Sequence, residues 1–127
     1  MSTLNVMVVD DSMVMAQLVS KALVELGHKV VLTAKTGEDA IKLYDTCNPD
    51  LVTMDVTMPG MGGIAATELI VRTHPKAHVI MVTSHGQKQI VHDAIRVGAK
   101  GYVLKPIKTE SLRIAIERSF KIDEVKV

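Results

Sequence analysis

The sequence predicts an α/β fold built on a doubly wound, five-stranded parallel sheet. Two observations carry that prediction. Five short apolar runs, Val6–Val9, Val30–Leu32, Leu51–Met54, Val79–Val82 and Tyr102–Leu104, alternate with segments of helical period, which is the pattern of a βα repeat. The runs are apolar at successive rather than alternate positions, so they need helices on both faces. Right-handed crossovers supply that cover only if the winding direction reverses once. The reversal opens a crevice at the carboxyl ends of the strands, where sheets of this kind bind ligands.

Each element has its own signal. The first strand runs directly into Asp10 and Asp11. The first helix presents Met15, Leu18, Val19, Ala22, Leu23 and Leu26 as one apolar stripe, with Ser12 placed to cap its start and Gly27 its end. The second helix, about Gly37–Thr46, opens on Thr36 and Asp39 as a variant capping box. It turns Ala40, Ile41 and Tyr44 inward and stops before Asn48-Pro49. The third strand ends at Asp55, after which Met58-Pro59-Gly60 forces a loop. A third helix follows at about Ile64–Thr73, and the fourth strand ends at Thr83 and Ser84. The fourth helix, about Gln87–Val97, buries Ile90, Val91, Ala94 and Ile95 and ends at Gly98. The last strand leads into Lys105-Pro106, and the helix at about Thr109–Phe120 buries Leu112, Ala115, Ile116 and Phe120.

Composition narrows the function. With 127 residues, 47% of them hydrophobic, the chain suits one domain over residues 1–127 that buries roughly two thirds of its unfolded surface. Fifteen basic and fourteen acidic residues leave a net charge of +1, so no global field favours nucleic acid or an anionic membrane. Cys47 is the only cysteine, and no CxxC, HExxH or GxxxxGK[ST] pattern occurs, which argues against disulfide scaffolds, common zinc sites and the P-loop. Asp10 and Asp11 interrupt the first apolar run, so neither a signal peptide nor a membrane span is expected. A cytoplasmic monomer is the expectation.

The polar residues at the strand ends are Asp10, Asp11, Asp55, Thr83, Ser84 and Lys105. Read singly, Asp10 and Asp11 suit the amino end of a helix, where a carboxylate gains ~0.3–1 kcal/mol, and Lys105 is an ordinary surface lysine. Together they read differently. Three carboxylates in one crevice raise one another's pKa unless a dense cation sits among them. Mg²⁺ takes oxygen ligands and commonly pairs one or two carboxylates with phosphate oxygens, and Mn²⁺ suits the same donors. Lys105 supplies a mobile positive charge and Thr83 a hydroxyl, groups that stabilise and sense a phosphoryl group. Asp55 is then the nucleophile, forming an aspartyl-phosphate by in-line attack.

At these residues the chain resembles the response-regulator receiver family, from VMVVDD through LVTMDVTMPGMGG and MVTSHG to GYVLKP. The resemblance implies a flavodoxin-like strand order 2-1-3-4-5 and Asp55 as phospho-acceptor. It implies Asp10, Asp11, Asp55 and the Thr57 carbonyl as Mg²⁺ ligands, Thr83 as switch hydroxyl, Tyr102 as switch aromatic and Lys105 as the phosphate's cation. It also implies a cis bond between Lys105 and Pro106. Thr57 and His85 occupy the places that tune phosphoryl lifetime in the family. The chain looks most like the single-domain chemotaxis regulators of CheY type. That likeness implies a histidine kinase as donor, a phosphatase, and an output protein such as a flagellar motor switch component read through helix 4, strand 5 and helix 5. The departure is Gly60–Gly63, where relatives often carry a polar or acidic residue and then Asn-Gly.

Rival functions have specific requirements. A phosphatase of haloacid-dehalogenase type needs a second Asp where this chain has Thr57. A flavin module needs a phosphate loop where Asp10 and Asp11 would repel phosphate. The nearest alternative is a relay receiver that passes its phosphoryl group to a histidine phosphotransfer protein. On the receiver reading the chain acts as a phospho-acceptor that dephosphorylates itself, rather than as a turnover enzyme.

Overall fold

The computed structural model describes residues 2–84 and 86–125, with side chains as far as Lys121. Strands β1 (Asn5–Val9), β2 (Lys29–Ala34), β3 (Leu51–Asp55), β4 (Val79–Thr83) and β5 (Gly101–Leu104) alternate with helices α1 (Met13–Glu25), α2 (Gly37–Cys47), α3 (Gly63–Thr73), α4 (Lys88–Arg96) and α5 (Thr109–Val125). All neighbouring strands are parallel, in the order β2-β1-β3-β4-β5. The winding reverses between β1 and β3, so their carboxyl ends lie side by side.

The capping signals act as read. Ser12 Oγ accepts from the Met15 N–H at 3.2 Å, and Thr36 Oγ1 accepts from the Asp39 N–H at 3.0 Å. Each satisfies an amide that the helix cannot pair itself. Asn48 ends α2 in the left-handed region at φ 43°, a conformation in which Asn is enriched.

Two cores sandwich the sheet. Met7, Val9, Val52, Met54, Val79 and Met81 pack with Ala40, Tyr44, Ala66 and Ile70 from α2 and α3. Val6, Val8, Leu51, Ile80, Val82 and Val103 pack with Val19, Leu23, Leu112 and Ile116 from α1 and α5. Each large aliphatic side chain fully buried here contributes about 1.5–3 kcal/mol. No helix among the described residues is long and apolar enough to cross a membrane.

Several expectations need correction. β2 and β5 are edge strands, and Val31, Tyr102 and Leu104 on them are exposed, so cover on both faces holds only for β1, β3 and β4. Leu18 is 49% and Ile95 58% exposed although both lie on the apolar stripe of their helices. The stripe is wider than the surface that the neighbouring elements cover. β2 extends beyond Val30–Leu32 at both ends, and α5 continues past Phe120.

Candidate functional site

The site follows from the pleat. Side chains alternate across a strand, so Val6, Val8 and Asp10 share one face, as do Leu51, Thr53 and Asp55, and Val103 and Lys105. Val8 and Val103 belong to the core under α1 and α5, so Asp10, Asp55 and Lys105 continue that face beyond the strand ends. Val9 pairs with Met54, which sets the next residues, Asp10 and Asp55, beside each other. Thr83, Tyr102 and Leu104 lie on the opposite face, because Met81 pairs with Tyr102 and Thr83 with Leu104.

The predicted carboxylates do come together. One oxygen from each of Asp10, Asp11 and Asp55 lies within 4.8 Å of the others, with Asp10 and Asp55 buried and Asp11 exposed. Lys105 Nζ donates to Asp10 Oδ2 at 3.1 Å and to Asp55 Oδ1 at 3.2 Å. The other Asp10 oxygen, Oδ1, accepts from the Ser12 N–H at 2.9 Å. The Lys105 backbone is held in turn, its N–H donating to the Thr83 carbonyl at 2.8 Å, and the Lys105-Pro106 bond is cis.

The electrostatics are those of an incompletely neutralised acidic pocket. Burial, and then the neighbouring Asp10 charge, push the Asp55 carboxyl up to about 6, against the opposing pull of Lys105. Burial would lower the Lys105 pKa, but its hydrogen bond to Asp10 and the charge of Asp55 outweigh this and raise it. Three carboxylates against one ammonium leave two negative charges when all are ionised. One small divalent cation balances that excess, and the donor set is entirely oxygen, so these residues fit Mg²⁺ or Mn²⁺.

Thr57 is exposed, two residues beyond Asp55 on the loop that leads to α3. Thr83 is buried at 2% exposure, and Tyr102 is 43% exposed. His85 lies outside the described residues. Met58, three residues beyond Asp55 in the loop after β3, is buried in the core under α2 and α3. A groove of 760 Å³ runs along α4, β5 and α5, lined by Ile95, Tyr102, Ile114, Ala115 and Arg118 among others.

Two contributors were not legible in the sequence. A Cβ on Gly63 would sit 1.9 Å from the Asp55 carbonyl oxygen, so glycine is required where α3 starts against the end of β3. The Gly-Gly pair was visible, but its neighbour was not. Glu38 accepts from the Met61 N–H at 3.3 Å across 23 positions, and no local pattern signals that contact.

Comparison with known proteins agrees with this geometry. Residues 6–117 match the response regulator receiver domain. The chain is 38% identical over 118 residues to the chemotaxis protein CheY of Listeria monocytogenes, covering 93% of this chain and 99% of that one. It is 42% identical over 113 residues to protein CcdB of Bacillus subtilis, covering 89% and 94%. Among solved structures, it is similar to a CheX–CheY–BeF3–Mg²⁺ complex from Borrelia burgdorferi, with a TM-score of 0.87, 33% identity and coverage of 91% and 88%. A buried acidic pocket bridged by lysine at the winding reversal, and a family match across nearly all of the sheet and its helices, make this chain a member of the response regulator receiver family.

Proposed function

We propose that the chain is a phosphorylation-activated switch of a two-component system, acting as one receiver domain in which Asp55 accepts a phosphoryl group from a histidine kinase. The observation that carries this reading is the Lys105 bridge to Asp10 and Asp55 inside a pocket that retains excess negative charge. The family is one of signalling domains rather than turnover enzymes.

The chemistry follows from the residues. An Asp55 carboxylate oxygen attacks phosphorus as the bond from phosphorus to the histidine nitrogen breaks, and the imidazole leaves with that electron pair. Asp10, Asp11, Asp55 and the Thr57 carbonyl would hold the cation. When bound, Mg²⁺ supplies charge neutralisation for the phosphoryl oxygens. Lys105 already sits on Asp55 Oδ1 and has only to shift from carboxylate to phosphoryl oxygen. Thr83, at the adjacent strand end, supplies the hydroxyl that senses the new group.

The readout surface is the groove along α4, β5 and α5. Tyr102 shares a sheet face with Thr83 and also lines that groove, so a movement of Thr83 reaches the surface through one strand. Moving a switch from 1:99 to 99:1 takes ~5.5 kcal/mol, and charge-assisted hydrogen bonds contribute ~1.5–3 each, so Thr83 and Lys105 both have to take part. Relatives that are chemotaxis proteins favour a chemotaxis output, with a motor switch component as the kind of partner, over relay to a phosphotransfer protein.

Phosphoryl labelling with and without Mg²⁺ tests this reading, using wild type, Asp10→Asn, Asp11→Asn and Thr83→Ala. Labelling should require Mg²⁺, fall in both Asp variants, and persist in Thr83→Ala with loss of the phosphorylation-dependent gain in partner binding. Labelling that is independent of metal and of Asp10 would sink it.

A further inference from the structure

We infer that Glu38, in the first turn of α2, is a positioning residue for the Asp55 site because it anchors the tip of the loop that follows the phospho-acceptor. The inference rests on the phosphoryl-acceptor reading and adds a residue to it.

The loop between β3 and α3 has two anchors. Its base is closed by the Gly63 N–H, which donates to the Val56 carbonyl at 2.9 Å. Its tip is held from outside, where the Met61 N–H donates to Glu38 Oε2 at 3.3 Å. Thr57, whose carbonyl the site needs, lies between these anchors.

The surrounding residues are cut to fit this contact. Gly60 has φ +74°, and a Cβ there would lie 2.9 Å from Glu38 Oε2. Glycine therefore provides both the left-handed backbone and the space through which the carboxylate reaches the loop. A Cβ on Gly37 would lie 2.9 Å from the Met61 carbonyl oxygen and 2.9 Å from Ala66 Cβ, so the amino end of α2 rests directly on the loop. The Thr36 cap fixes the first turn that carries Glu38.

A simpler reading is that Glu38 serves the helix dipole, as any acid in a first turn does. Asp39 meets that need equally, and the dipole does not account for a carboxylate directed at an amide on another element. The Gly60–Gly63 departure noted in the sequence thus has a physical counterpart: a bare loop tip gripped by a neighbouring helix. An acidic residue at position 60 would instead set a second carboxylate beside Glu38.

Amide hydrogen exchange of Met61 and Mg²⁺ titration, in wild type, Glu38→Ala and Glu38→Gln, test the inference. Gln keeps the acceptor oxygen and the side-chain bulk and loses only the charge, so it separates the hydrogen bond from the carboxylate's electrostatic effect on the cation. In Glu38→Ala the Met61 amide should exchange several-fold faster and the Mg²⁺ Kd should rise on the order of five-fold, while Glu38→Gln stays near wild type. Unchanged Met61 exchange in Glu38→Ala overturns the anchor. Faster exchange with an unchanged Kd overturns the positioning role. A wild-type protein that binds no Mg²⁺ overturns the reading of the site itself and the positioning role with it, and is told apart by its wild-type Met61 protection.

Discussion

The Lys105 ammonium donates to Asp55 Oδ1 across 3.2 Å and 50 positions of sequence, tying the end of β5 to the end of β3. Because Asp10 shares the same ammonium, its removal leaves two buried carboxylates without their cation. Lys105→Met, which keeps the apolar stem, is expected to destabilise the metal-free protein at pH 7 by roughly 1.5–3 kcal/mol. Urea unfolding with and without Mg²⁺ checks this, and added Mg²⁺ should recover part of the loss.

Asp55 also makes stability depend on pH. Its carboxyl is raised from 3.8 to about 6 in the folded protein, so folding favours the protonated form. The contribution is fully present below the unfolded value and lost as pH rises through the folded one. Two pKa units correspond to about 3 kcal/mol. Asp55→Asn lacks this titration, so it should gain stability relative to wild type between pH 4 and pH 7 in the absence of metal. Parallel unfolding curves for the two proteins across that range would remove the effect.

Gly63 fixes the geometry behind the acceptor. A methyl group at this position must displace backbone at the end of β3, since its nearest neighbour is the Asp55 carbonyl oxygen at 1.9 Å. Gly63→Ala is expected to cost about 1–3 kcal/mol and to weaken phosphoryl acceptance. Thermal unfolding and labelling of the same sample measure both.

Thr53 offers a stability test that leaves the charged groups alone. Its Oγ1, buried two residues before Asp55, has no hydrogen-bond partner among the described residues, and an unpaired buried hydroxyl costs about 1–3 kcal/mol. Thr53→Val, of the same shape, should leave stability unchanged or raise it by about 1 kcal/mol. A clear loss would show that the hydroxyl is satisfied in solution.

Asp10, Asp11, Asp55 and Lys105 were legible in the sequence because each interrupts or ends an apolar run, and period-two alternation then fixes the face on which it emerges. The helix starts were legible for a similar reason: Ser12 and Thr36 cap locally. What escaped was set by distant neighbours. Periodicity placed Leu18 and Ile95 on apolar stripes, but the cover they receive depends on which strands lie at the sheet edges. Met58 lies in a segment that reads only as a loop, and its burial follows from the packing of α2 and α3. Glu38 carries no local mark at all, since its partner Met61 arrives only when α2 packs beside the β3–α3 loop. Tyr102 was placed correctly on β5, while its exposure follows from β5 being an edge strand.

The most direct test of the central claim is to locate the phosphoryl group. The protein would be treated with a small acyl phosphate and Mg²⁺, then reduced with borohydride, which converts an aspartyl-phosphate to homoserine that mass spectrometry can assign to one position. Homoserine at position 55, absent without Mg²⁺ and absent in Asp55→Asn, is the predicted result. Homoserine at another aspartate, or equal phosphoryl incorporation in Asp55→Asn and wild type, would contradict the account.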